Sequence, residues 1–404
     1  MRQKTAAVLG TLDSKGAEFA YLCDRLNAAG VVPLVIDAGI LGEPPFPPDV
    51  TAADVAAAGG VPLADLVAAK DRGRAVAVMS AGAAAVVRKL HEEGRIDGIV
   101  SMGGGGGTVI GTAAMRALPV GVPKLMLSTI AAGDIRRYVD VKDITMMPSV
   151  VDIAGLNRLS KRIIANAAGA IAGMVAAKPP EVEGERTLVA ATMFGVTTPA
   201  VTRAREVLEA AGSEVLVFHA TGTGGRAMEE LIRGGFIAGV LDLTTTELAD
   251  ELAGGILSAG PDRLEAAGRV GIPQVVSAGA LDMVNFGAPD TVPEKYRGRS
   301  FYRHNPMVTL MRTTPEENAA LGRIIAEKLA RATGPTVFMI PKRGVSSIDV
   351  AGKPFFDPVA DAALFDALKA NRPPNVELVE IDAAINDDAF AVAAAERLLA
   401  LMSR

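Results

Sequence analysis

Chemistry in this chain concentrates in polar and glycine-rich segments that follow short apolar runs. The clearest is Ser101 to Thr108 (SMGGGGGT), between the strand-like run Gly98 to Met102 and the helical stretch Val109 to Ala117. Glycine at Gly103, Gly104, Gly105, Gly106 and Gly107 lets bare backbone N–H groups close around phosphate oxygens, while the next helix presents its positive end. A flexible linker is the bland alternative, and linkers seldom sit between a buried strand and a helix. No Lys follows Gly107, so this is not a Walker A loop, and the third glycine of the dinucleotide fingerprint is missing in every register. A neutralising lysine must come from elsewhere. Gly10 to Gly16 (GTLDSKG) offers Thr11, Asp13 and Lys15: the lysine to pair a phosphate, the carboxylate to hold Mg2+ directly or through water. Asp13 or Ser14 would equally serve as a helix cap. Ser128 to Asp134 (STIAAGD) adds Ser128, Thr129 and Gly133 at a neighbouring strand end, where ordinary turn chemistry is the other reading.

The second half offers a different set. In His219 to Glu229, Gly222, Gly224 and Ala227 fit the spacing G-x-G-x-x-A, with Thr221 and Thr223 interleaved, and Asp242 ends the next strand-like run as a ribose-binding acid would. His219 is either a structural histidine or a proton-transfer group. Asp242 to Glu247 (DLTTTE) places hydroxyls for substrate oxygens, or Thr246 simply caps a helix. Lys295 to Arg312 carries Lys295, Arg297, Arg299, Arg303 and Arg312 with no acid between them, around His304 and Asn305. Such a run suits a carboxylate or phosphate ligand; a solvated or subunit-facing loop is the alternative. Lys342 to Ser347 (KRGVSS) and Ser277 to Phe286 (SAGALDMVNF) are further polar strand ends. His219, His304 and Asp242 are the candidate catalytic groups.

These loops need a scaffold. The chain has 404 residues, 50% hydrophobic and 22% charged, enough for two domains of ordinary size. A net charge of −5 gives no cationic excess for a polynucleotide partner. One Cys excludes an intrachain disulfide, and three scattered His exclude a Cys/His zinc cluster of usual spacing. The N-terminal apolar run is too short for a signal-peptide core, and glycines break the long uncharged stretch near Gly98 to Met115, so a cytoplasmic protein with no membrane span is expected. Apolar runs at Ala6 to Leu9, Val32 to Ile36, Gly98 to Met102 and Lys124 to Ser128 read as strands buried on both faces. Helical segments alternate with them, the α/β signature. Phe19, Leu22, Cys23 and Leu26 form one apolar helix stripe, which makes Cys23 a packing residue.

The sequence also repeats. Ala6 to Gly39 resembles Leu188 to Gly222, Ile96 to Val100 resembles Ile237 to Leu241, and Gly121 to Lys124 resembles Gly271 to Gln274, in the same order. Two doubly wound Rossmann-like domains with mainly parallel sheets are expected, residues 1–180 and 181–404, separated near Ala177 to Arg186 and enclosing an interdomain cleft.

GTLDSK, SMGGGGGT, STIAAGD, HATGTGG, DLTTTE, SAGALDMVNF, HNPMVTLMR and PKRGVSSID, in this order, resemble the signatures of a poorly characterised bacterial and fungal family. That family is related to the ATP-binding N-terminal domain of the tomato mosaic virus resistance protein. The resemblance spans nearly the whole chain and implies ATP with a divalent ion and a homodimer. It also makes conceivable a separately encoded TIM-barrel partner, since such a domain follows in the plant relative. The expectation is an ATP- and Mg2+-binding enzyme that acts on a small anionic metabolite by phosphoryl transfer or ligase-type activation, with Arg303, Asn305, Arg312 and the loop Thr221 to Gly224 toward that substrate. A nucleotide-dependent regulatory protein and an NAD-dependent oxidoreductase are the alternatives.

Overall fold

Strands that read as continuous apolar runs must be covered on both faces, and helices supply that cover. The computed structural model describes residues 2–178, 184 and 186–403. It divides into two units, Met1–Glu181 and Val182–Arg404. The expected boundary at 180 and 181 falls outside the described residues.

The first unit runs β1 (Thr5–Gly10), α1 (Leu12–Ala28), β2 (Val32–Asp37), α2 (Ala52–Ala58), α3 (Leu63–Ala69), α4 (Arg72–Glu92), β3 (Gly98–Gly103), α5 (Gly105–Arg116), β4 (Lys124–Ser128), α6 (Arg136–Val139), β5 (Thr145–Pro148) and α7 (Arg158–Ala176). Its five strands are parallel, in the order β2-β1-β3-β4-β5. Alternate residues of β1 feed opposite cores. Ala6 and Val8 pack with the Phe19, Leu22, Cys23 and Leu26 stripe of α1 and with α7; Ala7 and Leu9 pack with residues of α2, α4 and α5. Burial pushes the Cys23 thiol up to about 12, as a packing residue requires.

The second unit runs β6 (Leu188–Met193), α8 (Thr198–Ala210), β7 (Glu214–His219), α9 (Thr223–Arg233), β8 (Gly239–Thr244), α10 (Glu247–Ala253), α11 (Ala266–Val270), β9 (Gln274–Gly279), β10 (Met283–Phe286), β11 (Phe301–Asn305), β12 (Val308–Arg312), α12 (Pro315–Leu329), β13 (Thr336–Pro341), α13 (Pro358–Ala370), β14 (Val376–Ile381) and α14 (Asp388–Met402). Six parallel strands take the order β14-β13-β9-β8-β6-β7. Both units thus place their second, first, third and fourth strands side by side, which is the repeat expressed as topology. Between β9 and α12 the parallel grammar gives way to an antiparallel sheet, β10-β12-β11, in which the cationic run forms a hairpin instead of a loop. Among the described residues no single helix is long and apolar enough to cross a membrane.

Candidate functional site

In a doubly wound sheet, connections leave in opposite directions from the first and third strands, and a crevice opens at their carboxyl ends. In the first unit that point lies between β1 and β3. Here β3 ends at the buried Gly103, Gly104 takes an extended conformation as N-cap, and α5 begins at Gly105. The expected glycine loop is therefore largely the first turn of a helix. The turn is tight: a Cβ on Gly103 would lie 2.9 Å from the Gly107 Cα. Gly105 faces open space, with nothing within 4 Å of a Cβ built there. The first intrahelical bond runs from Thr108 N to the Gly104 carbonyl at 2.8 Å. That leaves the N–H groups of Gly105, Gly106 and Gly107 without helical acceptors, and no side chain caps them.

A cavity of about 720 Å³ opens onto these N–H groups. Three strand ends line it: Thr11, Asp13, Ser14 and Lys15 after β1, Ala38, Ile40 and Leu41 after β2, and Gly104 to Gly107 after β3. The α3–α4 corner closes it with Leu66, Val67, Lys70, Arg72, Val76 and Met79. Arg72 places a guanidinium nitrogen 3.8 Å from a Cβ built on Gly106. Lys15 departs from helical geometry (φ −134°, ψ 23°) and donates to the Ile153 carbonyl. Asp13 Oδ2 accepts from Leu41 N at 2.6 Å, while Oδ1 is buried with no partner among the described residues. Beneath them Asp37, 2% exposed, accepts from Leu12 N at 3.1 Å and Gly39 N at 2.9 Å, which ties the β1 and β2 loops together. Burial pushes its carboxyl up, against those two N–H bonds.

Of the residues expected here from sequence, Thr11, Asp13, Lys15 and Gly104 to Gly107 line the cavity. Gly103, Thr108 and Ser128 lie underneath as framework. The Thr108 hydroxyl donates to the Gly104 carbonyl at 2.8 Å and lies 2.7 Å from Ser128 Oγ, both buried. Thr129 N donates to the Gly103 carbonyl, and Gly133 N to Ile130 in a turn; neither residue lines the cavity. Lys70, Arg72 and the apolar wall were not anticipated. The one signal for them was the charge cluster Lys70 to Arg74 (KDRGR) between two helical stretches.

The second unit uses its glycine-rich strand end differently, at the head of α9 after its second strand. Glu247, the first residue of α10, is fully buried, and its Oε1 accepts from Gly222 N at 2.7 Å and Gly225 N at 3.1 Å. Its Oε2 accepts from Arg263 at 2.6 Å. Arg263 also grips Asp242 through two bonds at 2.5 and 2.7 Å, and Thr192 donates to the same carboxylate. Asp242, 1% exposed, is thus committed to an internal ion pair and is not presented as a ribose-binding acid. Gly222 and Gly224 serve close packing: a Cβ on Gly222 (φ +80°) would meet the Ser258 carbonyl oxygen at 2.6 Å, and one on Gly224 the His219 carbonyl oxygen at 1.8 Å. Thr221 Oγ1 donates to the His219 carbonyl, and Thr223 is exposed at the start of α9.

His219 is exposed at the end of the edge strand β7. His304 and Asn305 are exposed at the β11–β12 turn, where Asn305 accepts from Met307 N at 2.8 Å, and Arg303 is exposed on β11. Arg312 is not with them. It is 6% exposed and bonded to Asp361 at 2.7 Å and the Phe355 carbonyl at 2.8 Å, with Asp349 at 3.4 Å and Asp282 facing the same core. Its role is framework, because a buried guanidinium with these acceptors is saturated. Burial pushes Asp282 up to about 7 and Asp349 up to about 9. SAGALDMVNF, HNPMVTLMR and PKRGVSSID meet in this cluster, so much of their polarity is structural.

Two family models cover the chain. The N-terminal domain of Uncharacterised protein family UPF0261 matches residues 4–180, and the C-terminal domain of the same family matches residues 186–402. A UPF0261 protein from Clostridium tetani is 54% identical over 99% of this chain and 100% of its own length. The ToMV resistance protein Tm-1 of Solanum lycopersicum is 43% identical over 81% of this chain, which is 44% of its own length. Among solved structures, UDP-N-acetylglucosamine 2-epimerase from Rickettsia bellii aligns with 100% of this chain and 98% of its own at 8% identity and a TM-score of 0.25, too low to bear on fold or function.

Proposed function

The chain belongs to the UPF0261 family, which it shares with the tomato Tm-1 proteins, and from that premise we propose that its N-terminal unit binds ATP with Mg2+. One observation carries this reading. Three uncapped, side-chain-free helix N–H groups share a cavity with Lys15, Lys70, Arg72 and an apolar wall. Phosphate oxygens would lie against the Gly105 to Gly107 N–H groups, where the helix end favours negative charge. Arg72 and Lys70 would neutralise them, and Lys15 would exchange the Ile153 carbonyl for a phosphate oxygen. Leu66, Val76, Met79 and Ile110 would cover a planar base.

Mg2+ supplies charge neutralisation between phosphate oxygens when bound. The residues fit that use: Asp13 offers a buried, unpartnered acceptor beside the cavity. Among the described residues no group of three or more His, Cys, Asp or Glu forms an all-protein cation site, and nucleotide-bound Mg2+ needs none, since it keeps phosphate and water ligands.

On this reading the unit activates a small anionic metabolite by phosphoryl transfer or ligase-type chemistry, which needs chiefly positioning and charge neutralisation. A regulatory role for the nucleotide has its own support. The acids lining the cavity are Asp13, which this reading gives to Mg2+, and Asp71, which accepts from Arg74 N, so no further carboxylate lines it to serve as a dedicated general base. The NAD reading has lost its support, with Asp242 and the Gly222 and Gly225 N–H groups already engaged.

Calorimetric titration of the full chain with ATP, with and without Mg2+, tests the site. Binding should tighten with Mg2+ and weaken about tenfold in Arg72→Ala, the size of a lost charge-assisted contact. ATP that fails to bind, or binds the variant equally well, ends the proposal. Turnover with a panel of carboxylic and sugar acids separates enzyme from sensor.

A further inference from the structure

The cationic run of the second unit is only partly consumed by the fold. Arg299 pairs with Glu317 at 2.6 Å, Arg297 with Glu294 at 2.7 Å, Lys295 lies over the Tyr296 ring, and Arg312 is in the core. Arg303 is left over, exposed on β11 with no ion pair or hydrogen bond among the described residues.

Opposite it in the antiparallel register stands Thr309 of β12. Directly opposed residues share one face of the sheet, with Cβ atoms about 5 Å apart. Thr309 is 4% exposed, and its hydroxyl is buried with no partner among the described residues. Buried hydroxyls are nearly always bonded, so an orphan of this kind asks for a missing acceptor. Arg303 and Thr309 line a cavity of about 350 Å³ whose other walls include Pro289, Val292, Pro293 and Phe301. The acid lining it is Glu294, already paired with Arg297, so Arg303 is the surplus charge.

We propose that this pocket binds a small organic monocarboxylate, with its carboxylate between the Arg303 guanidinium and the Thr309 hydroxyl and its apolar body against the prolines, Val292 and Phe301. A guanidinium gives a carboxylate two parallel charge-assisted bonds, and the threonine donates a third. One surplus cation matches a monoanion, and the apolar walls select against a compact, fully hydrated ion. The volume lies at the small end of ligand pockets and suits an aryl or branched alkyl body. The site belongs to a different unit from the proposed nucleotide cavity and stands or falls without it.

Titrating the full chain with phenylacetate, and separately with inorganic phosphate, tests the assignment by calorimetry or protein-observed NMR. Phenylacetate should saturate at roughly millimolar concentration and phosphate should not, as expected for a ligand of so few atoms. Arg303→Met should weaken phenylacetate about tenfold or more, and Thr309→Val about fivefold, the equivalent of one net hydrogen bond. Thr309→Val has a second readout. It removes the unpaired hydroxyl, so the unliganded variant should melt higher even as it binds less well, a pairing that a purely structural threonine would not give. Phenylacetate that does not bind, that binds Arg303→Met undiminished, or that binds no better than phosphate overturns the proposal. So does a dimer that dissociates on substitution of the exposed Phe301 and Met307 by Ser while neither form takes up phenylacetate, because the pocket would then belong to a second copy.

Discussion

The two units share a strand order and treat the N–H groups at a helix head in opposite ways. At the head of the helix after the third strand, the N-terminal unit has Gly105 and the C-terminal unit has Glu247. In the first, bare N–H groups open onto a cavity ringed by exposed or half-buried cations. In the second, the carboxylate of Glu247 reaches the neighbouring helix α9, which follows the second strand, occupies the N–H groups of Gly222 and Gly225 there, and is neutralised by a fully buried arginine. A helix head at a strand's carboxyl end makes an anion site, and the sequence decides whether an internal side chain fills it. Glycine runs therefore mean different things in the two halves: access in one, close packing in the other.

The arginines should separate the two halves most strongly. Arg263→Ala leaves Asp242, Glu247 and Glu229 without their buried cation, which should cost about 3–5 kcal/mol. Arg72→Ala, at an exposed position, should change stability by no more than about 0.5 kcal/mol while weakening ATP. Urea unfolding of both variants measures the difference. Equal losses would remove the distinction between an internal and an external anion site.

A smaller effect should follow at the glycines. Gly224→Ala drives a methyl into the His219 carbonyl oxygen, 1.8 Å from the ideal Cβ position, and overpacking of this kind costs about 1–3 kcal/mol or more. ATP affinity should be untouched. Gly105→Val is the mirror case: nothing lies within 4 Å of a Cβ built there and the residue lines the cavity, so the fold should tolerate it and ATP affinity should fall at least about tenfold. Circular dichroism melts alongside ATP titrations read both. A Gly105→Val protein that binds ATP normally would detach the glycine turn from the nucleotide.

Much of this was legible in the sequence, for reasons that also mark where legibility stops. The strands β1 to β4 are buried on both faces and read as plain apolar runs, and the stripe from Phe19 to Leu26 follows helical spacing into the core. The glycine run announced an anion site, but only coordinates show that Gly105 to Gly107 are helical, because glycine carries no periodic signal. Arg303 and Arg312 look alike in a string of charges. One is exposed and the other is encased, since Arg312 sits opposite Met283 in a three-stranded sheet whose alternation the charges obscured. Glu247 was invisible as a plug because its partners lie 22 and 25 residues upstream, on another helix turn. Arg72 enters the cavity only through the corner between α3 and α4, where Lys70 takes a left-handed conformation (φ 50°).

The last expected effect concerns pH and again divides the units. Around Arg312, burial raises Asp282 to about 7 and, with the neighbouring Asp282 and Asp361 carboxylates, Asp349 to about 9. Asp361 is also raised by burial, against the pull of Arg312 and a hydrogen bond from Asp349. A carboxyl held above its unfolded value means the folded state binds more protons, so this contribution is complete below the ordinary carboxyl range and is lost as pH rises toward 9. The melting transition of the C-terminal unit should therefore fall between pH 6 and 9, by about 2–4 °C for each kcal/mol lost in a unit of this size. In the N-terminal unit the raised acid, Asp37, keeps two N–H bonds that favour its charge, so its transition should move less. Asp349→Asn keeps an acceptor for Val345 N and a donor for Asp361 without a proton to lose, and should flatten the slope. Calorimetric scans at three pH values decide it. A C-terminal transition that rises with pH, or an Asp349→Asn protein as pH-sensitive as its parent, would mean that Arg312 holds all three carboxylates ionised.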